Sequence, residues 1–191
     1  LRDREKLELL CQKLKETLPR LDYFFCNAGK SIHRKITDAL DRLHDYDRTI
    51  DLNYRALVAL SLALLPTLKA SKGSIVYSSS VSTRYPMAPG WSAYHASKCA
   101  ANTWCETANS EFAPLGVRVQ IAYLPLVHTA MSDVNERYRQ LPAYYPADAA
   151  NILLRLAIRK RKRYQPWWAK LSAPIAYLFA PIVHLFYKRV V

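Results

Sequence analysis

An α/β fold with a doubly wound parallel sheet is what this sequence predicts, on three observations. Strand-like apolar runs alternate with helical segments along the chain, the pattern of strands joined by helical crossovers. The runs are continuously apolar, as strands covered by helices on both faces require. Each run stops at a polar or turn-forming cluster, "NAG", "SSS" or "LPLVHT", and chemistry in such sheets collects at the carboxyl ends of the strands.

The elements follow in order. "LRDREKLELLCQKLKETL" sets Leu7, Leu10, Cys11, Leu14 and Leu18 on one helical stripe with charges elsewhere. "LDYFFCNAG" is a short aromatic-rich run halted by Asn-Ala-Gly, which predicts a buried strand ending in a turn. Residues 46–70 are strongly apolar and predict a buried helix, bent or ended near Pro66. "GSIVYSSS" predicts a second buried strand. The stretch from Gly90 to Gly116 predicts a long helix rich in Ala, Ser and Asn, closing around Pro114. "VRVQIAYLP", with β-branched residues, predicts a third strand. Residues 126–145 read as a loop. "PADAANILLRLAI" predicts a further helix, with Pro146 in its first turn and Asp148 near its positive end.

Composition bounds the rest. A chain of 191 residues, 51% hydrophobic, suits one domain with a sizeable core. Four glycines exclude a collagen-like or linker-rich protein. Cys11, Cys26, Cys99 and Cys105 show no CxxC pairing, which points to buried free thiols and a reducing, cytoplasmic compartment. No His or Cys spacing suggests a metal site. The opening residues are charged and lack the apolar core of a signal peptide.

The net charge of +13 is concentrated at one end. No acidic residue follows Asp148, whereas Arg155, Arg159, Lys160, Arg161, Lys162, Arg163, Lys170, Lys188 and Arg189 do. This basic tail, set off at 161–191 from a domain over 1–160, adds Trp167, Trp168 and an apolar stretch from Leu171 to Tyr187. Aromatic residues flanked by cations suit a membrane interface. Packing onto the domain or a partner chain is the second reading. A span is the third, since the stretch falls short of the roughly 20 residues needed. The run at 159–163 reads as a solvated or lipid-facing helix end, with no nucleic-acid role.

Three strand ends and one helix supply a candidate site. Tyr94 and Lys98 in "SAYHASK" lie one helical turn apart. Ser78, Ser79 and Ser80 end the second strand, Asn27, Ala28 and Gly29 follow the first, and Asn53 is a polar residue within the apolar helix. A lysine ammonium lowers a tyrosine pKa from its usual value near 10. A serine hydroxyl steadies an oxygen that gains charge, and a buried asparagine holds a water or main-chain group. The set suits protonation of a carbonyl oxygen while hydride reaches carbon.

"CNAG" at 26–29, "DLN" at 51–53, "GSIVYSSS" at 73–80 and "YHASK" at 94–98, in this order and spacing, resemble the short-chain dehydrogenase/reductase family over roughly residues 1–160. The resemblance implies a Rossmann-type sheet and a nicotinamide cofactor, NADP slightly favoured over NAD. It makes Tyr94 the general acid/base, with Lys98 lowering its pKa and holding the nicotinamide ribose. Ser80 would orient the carbonyl, with Ser79 as the alternative, and Asn53 would anchor a relay water. Asn27, Ala28 and Gly29 would lie beside the cofactor, with Pro125 and Thr129 at its carboxamide end. The family's first strands and Gly-rich turn are not in this sequence, so the chain is expected to be the C-terminal portion of such a domain. "PLVHTAM" at 125–131 is similar to the branch holding fatty acyl-CoA reductases, which implies a lipid-like substrate under a lid at 130–145. His128 borders that lid. The resemblance also implies a homodimer through the Tyr94 helix. A catalytically silent, membrane-associated scaffold that keeps the fold is the competing expectation.

Overall fold

The computed structural model of the protein describes residues 1–133, 136–182 and 184–185. Lys188 and Arg189, the end of the apolar stretch beyond Leu185, and residues 134–135 of the expected lid lie outside them.

Helix α1 (Arg4–Thr17) starts at Asp3, whose side chain accepts from the Lys6 N–H. Leu7 is buried and Cys11, Leu14 and Leu18 are half-buried, but Leu10 falls at the margin of the stripe and is exposed. Strand β1 (Tyr23–Cys26) follows. Helix α2 (Leu43–Ile50) runs through a π-helical turn (Asp51–Arg55) into α3 (Ala56–Ser71). Pro66 does not end this helix, which continues to Ser71. The irregularity falls instead at the wide turn carrying Asn53, and such turns inside helices often mark functional sites.

Strand β2 (Ser74–Ser80) leads through a 3₁₀ turn (Val81–Arg84) toward α4 (Ser92–Phe112). Strand β3 (Arg118–Leu124), a short helix α5 (Glu136–Arg139) and α6 (Pro146–Ile158) come next. Pro146 occupies the first turn of α6, and the Asp148 carboxylate accepts from the Tyr145 N–H at 3.0 Å. The strand β4 (Arg163–Tyr164) and the helix α7 (Trp167–Leu178) follow.

The sheet is parallel throughout, in the order β1-β2-β3-β4. Its alternating side chains divide between two cores. Ile75, Tyr77, Val119, Ile121 and Tyr123 pack with residues of α3 and α4. Val76, Ala122 and Leu124 pack with Ala149, Leu153, Leu156 and Ala157 of α6. Helices therefore cover both faces of β2 and β3. The expected burial of the first strand holds only in part. Phe24 and Cys26 face the α3/α4 core, whereas Tyr23 and Phe25 point from the edge strand to an uncovered face and are exposed.

The sheet extends past residue 160. Arg163 and Tyr164 pair with Ile121 and Ala122 of β3, so the first part of the basic tail is built into the sheet. No helix among the described residues is long and apolar enough to cross a membrane. All four cysteines are free thiols.

Candidate active site

The ends of β1, β2 and β3 open into one cavity of about 1070 Å³. Asn27, Gly29, Ser80, Tyr94, Lys98, Pro125 and Thr129 all line it. Asn53 and Ala28 do not. Asn53 is buried beneath, and Ala28 is exposed on the loop after β1.

Asn53 holds that loop. Its Oδ1 accepts from the Lys30 N–H at 2.8 Å, and its Nδ2 donates to the Lys30 carbonyl and to Ser97 Oγ, each at 2.9 Å. Ser97 Oγ in turn donates to the Tyr94 carbonyl at 2.7 Å. The loop after β1 is thereby fastened to α4 beside Tyr94. Gly29 allows this close approach, because a Cβ there would meet Asn53 Oδ1 at 3.3 Å and Lys98 Nζ at 3.5 Å.

Lys98 is buried and donates from Nζ to the Ser78 carbonyl at 2.8 Å, with the Tyr77 ring 4.8 Å from the ammonium. Burial pulls its pKa down to about 8. Burial also pushes the Tyr94 phenol up, and the downward influence comes from hydrogen bonding with Ser80. The sequence reading assigned that lowering to Lys98. Here desolvation dominates the phenol, and the ammonium is turned to a main-chain carbonyl.

The two serines point different ways. Strand pleating puts Ser79 on the face of Ile75 and Tyr77, toward α4, where its hydroxyl donates to Asn102 Oδ1 at 2.6 Å. Ser80 stands at the strand end with its Oγ 2.9 Å from Ser82 Oγ. Asn102 completes the support: its Nδ2 donates to Thr83 Oγ1 at 2.7 Å, and that hydroxyl donates to the Ser80 carbonyl at 2.7 Å.

Several contributors were missed from sequence. Trp91 stands edge-on to Tyr94 at 6.2 Å, stacks on Tyr138 at 5.5 Å and meets His33 at 4.6 Å. His33 packs against Trp91 and also borders the cavity. Asn102 carried a usable signal, since it lies four residues beyond Lys98 and eight beyond Tyr94 on one helical stripe. Trp91 and Tyr138 carried none, because their contact joins distant segments. The loop after β3 closes at its base, where the Tyr144 main-chain N–H donates to the Leu126 carbonyl and the His128 main-chain N–H to the Tyr144 carbonyl, both at 2.9 Å. His128 Nδ1 lies 3.2 Å from Asp133 Oδ1. Met131, Tyr138 and Leu141 from this loop, with Leu126, Ala149 and Leu153, form an apolar part of the wall, to which the same loop adds Ser132 and Glu136.

The residues present fit the nicotinamide end of a dinucleotide. Ser78 lines the cavity with its hydroxyl buried and without a hydrogen-bond partner, and Gly29 leaves beside Lys98 a gap that a Cβ would fill.

Residues 1–139 match the family described as short chain dehydrogenase. A fatty acyl-CoA reductase of Acinetobacter baylyi is 32% identical over 185 residues, covering 96% of this chain and 62% of its own length. A second fatty acyl-CoA reductase, from Mycobacterium tuberculosis, is 32% identical over 167 residues, covering 87% of this chain and 57% of its own length. The chain thus spans about three-fifths of the length of these relatives. In fold it is similar to a short chain dehydrogenase from Burkholderia cenocepacia crystallised with NADP, at a TM-score of 0.76 and 22% identity, covering 100% of this chain and 75% of that one. With the family match running over most of the sequence and its motifs gathered at the carboxyl ends of one parallel sheet, this chain belongs to the short-chain dehydrogenase/reductase family.

Proposed function

We propose that the protein reduces a carbonyl group, or oxidises the corresponding alcohol, on a hydrophobic and lipid-like substrate with NADP(H) or NAD(H). The observation that carries this reading is the placement of Tyr94, Ser80 and Lys98 around one cavity that Leu126, Met131, Leu141 and Leu153 line on another side.

The bound dinucleotide supplies the hydride. Tyr94 gives its phenolic proton to the carbonyl oxygen, and the Ser80 hydroxyl steadies that oxygen as it gains charge. Ser80 is chosen over Ser79, whose hydroxyl is committed to Asn102. Lys98 and Ser78 would hold the ribose of a bound dinucleotide, with Asn27 and Gly29 beside it and Pro125 and Thr129 toward its carboxamide. Asn53 serves the proton relay by holding the Gly29–Lys30 loop against α4. Burial favours the neutral phenol of Tyr94, the form that gives up a proton in carbonyl reduction.

The apolar wall and the relatives named fatty acyl-CoA reductase support a long-chain acyl or aldehyde substrate. NADP is favoured by the NADP-bound structural relative. A homodimer through α4 belongs to the same reading, since the outward Thr103, Thr107 and Ser110 are small enough for close helix approach. The full-length protein is expected to oxidise NADPH when given long-chain acyl-CoA or aldehyde. Tyr94→Phe should lower kcat by about 10²–10⁴-fold while NADPH binding, followed by fluorescence, persists. Undiminished turnover in that variant would remove Tyr94 from its role. Absence of NADPH binding by fluorescence, together with no turnover on any such carbonyl, would favour the silent, membrane-associated scaffold.

A further inference from the structure

Helix α7 has its amphipathicity reversed. The side against the body is made of small residues: Ala169 and Ala173 are buried, and Ser172 is half-buried. The large apolar residues point outward, with Leu171 64%, Ile175 56% and Leu178 74% exposed, and Trp167 at the first turn 74% exposed. A helix that packs on a core normally turns such residues inward. A contiguous exposed apolar face of this kind marks an interaction surface.

Charge identifies the occupant. The nine cations after Asp148 are accompanied by no acidic residue. Lys170 lies on α7 itself, and Arg159, Lys160 and Arg161 precede it in exposed positions. Lys162 and Arg163 are held by Glu106 at 3.1 and 3.2 Å. At 12 residues α7 is about 18 Å long, too short to cross a bilayer but long enough to lie in its surface. Tryptophan and cations beside aliphatic side chains are what the headgroup boundary accommodates.

We propose that the outward face of α7 docks on an anionic lipid bilayer, inserting Trp167, Leu171, Ile175 and Leu178 at the headgroup boundary. The helix is a fixed part of the fold. Ser172 Oγ lies 2.7 Å from Tyr85 OH, next to the turn that follows Ser80. The docked face and the catalytic strand end are thus held in one relation, which suits a substrate drawn from the lipid.

Vesicle flotation of the full-length protein tests this, and needs no turnover, so its failure is separate from failure of the proposed reduction. Wild type is expected to float with phosphatidylcholine vesicles containing phosphatidylglycerol, more weakly with phosphatidylcholine alone, and less as salt is raised. Leu171→Glu and Ile175→Glu should each weaken partition about tenfold or more. Lys170→Glu, at an exposed position that bears no core contact, should weaken it too and decides the matter if the other variants fail to fold. Absence of flotation by wild type, or equal flotation by all variants, would overturn the proposal. So would conversion of a dimer to a monomer by Ile175→Glu in light scattering with vesicle binding unchanged, which would give the face to a second copy of the chain.

Discussion

Lys98 shows how position changes what a residue means. A lysine near its ordinary pKa is a surface charge, whereas this one is buried over Tyr77 with its pKa pulled down to about 8. The unfolded chain holds the proton up to the ordinary value near 10.5, so between these two pH values it binds more protons than the folded chain. Stability therefore rises with pH across that window as far as Lys98 is concerned. Below pH 8 the full cost of burying the charge, about 3 kcal/mol, is present. Denaturant titrations at pH 7.5 and 9.5 should show a gain for wild type that is smaller in Lys98→Met. An equal gain in both proteins would mean that Lys98 keeps an ordinary pKa. The burial tolerated here is offset by the Ser78 carbonyl and the Tyr77 ring, partners that keep the ammonium beside Gly29.

At the level of elements, α4 organises the site. Its stripe carries Tyr94 at the mouth, Lys98 beneath the β2 end and Asn102 one turn further in. Asn102 reaches both Ser79 and Thr83, and Thr83 holds the Ser80 carbonyl. Asn102 is thus a positioning residue for Ser80 and itself lies outside the residues that line the cavity. Asn102→Ala leaves two buried hydroxyls short of a partner and should cost about 1–3 kcal/mol in urea unfolding. It should also lower kcat about tenfold while the KM for NADPH stays unchanged, because only the strand end is loosened. An unchanged kcat in a destabilised variant would reduce Asn102 to a structural role. The π-helical turn before α3 has a matching part on the other side, setting Asn53 against Lys30 and Ser97.

Across the whole molecule, one core between the sheet and α3/α4 carries most of the burial, and the thiols report on it. Cys26 and Cys105 are buried there, and burial pushes the Cys26 thiol up to about 11 and Cys105 higher still. Cys11 and Cys99 are half-buried. Alkylation mapped by mass spectrometry should label Cys11 and Cys99 in the native protein, and Cys26 and Cys105 only after denaturation. Native labelling of Cys105 would show that this core opens locally. The other large-scale features are two apolar surfaces, the Tyr23 and Phe25 side of the edge strand and the outer side of α7.

The α/β class, the first three strands and the helix bearing Tyr94 and Lys98 were all legible in the sequence, because each rests on local periodicity and on turn residues adjacent in the chain. So was the convergence of the strand ends, which line one cavity. Other features depended on contacts between distant segments. Ser78, Ser79 and Ser80 are identical in sequence; the pleat and the packing of Asn102, 23 residues away, separate them. The acidity of Tyr94 turned on desolvation, which no spacing reports. The tail read as one basic and aromatic segment, yet its start pairs with β3 and its small residues face inward. Local pattern sets which elements form; the packing of elements onto one another sets which side chains lose water and which face remains uncovered, and here that gave Ser79 and Ser80 different partners and left the large side chains of α7 exposed.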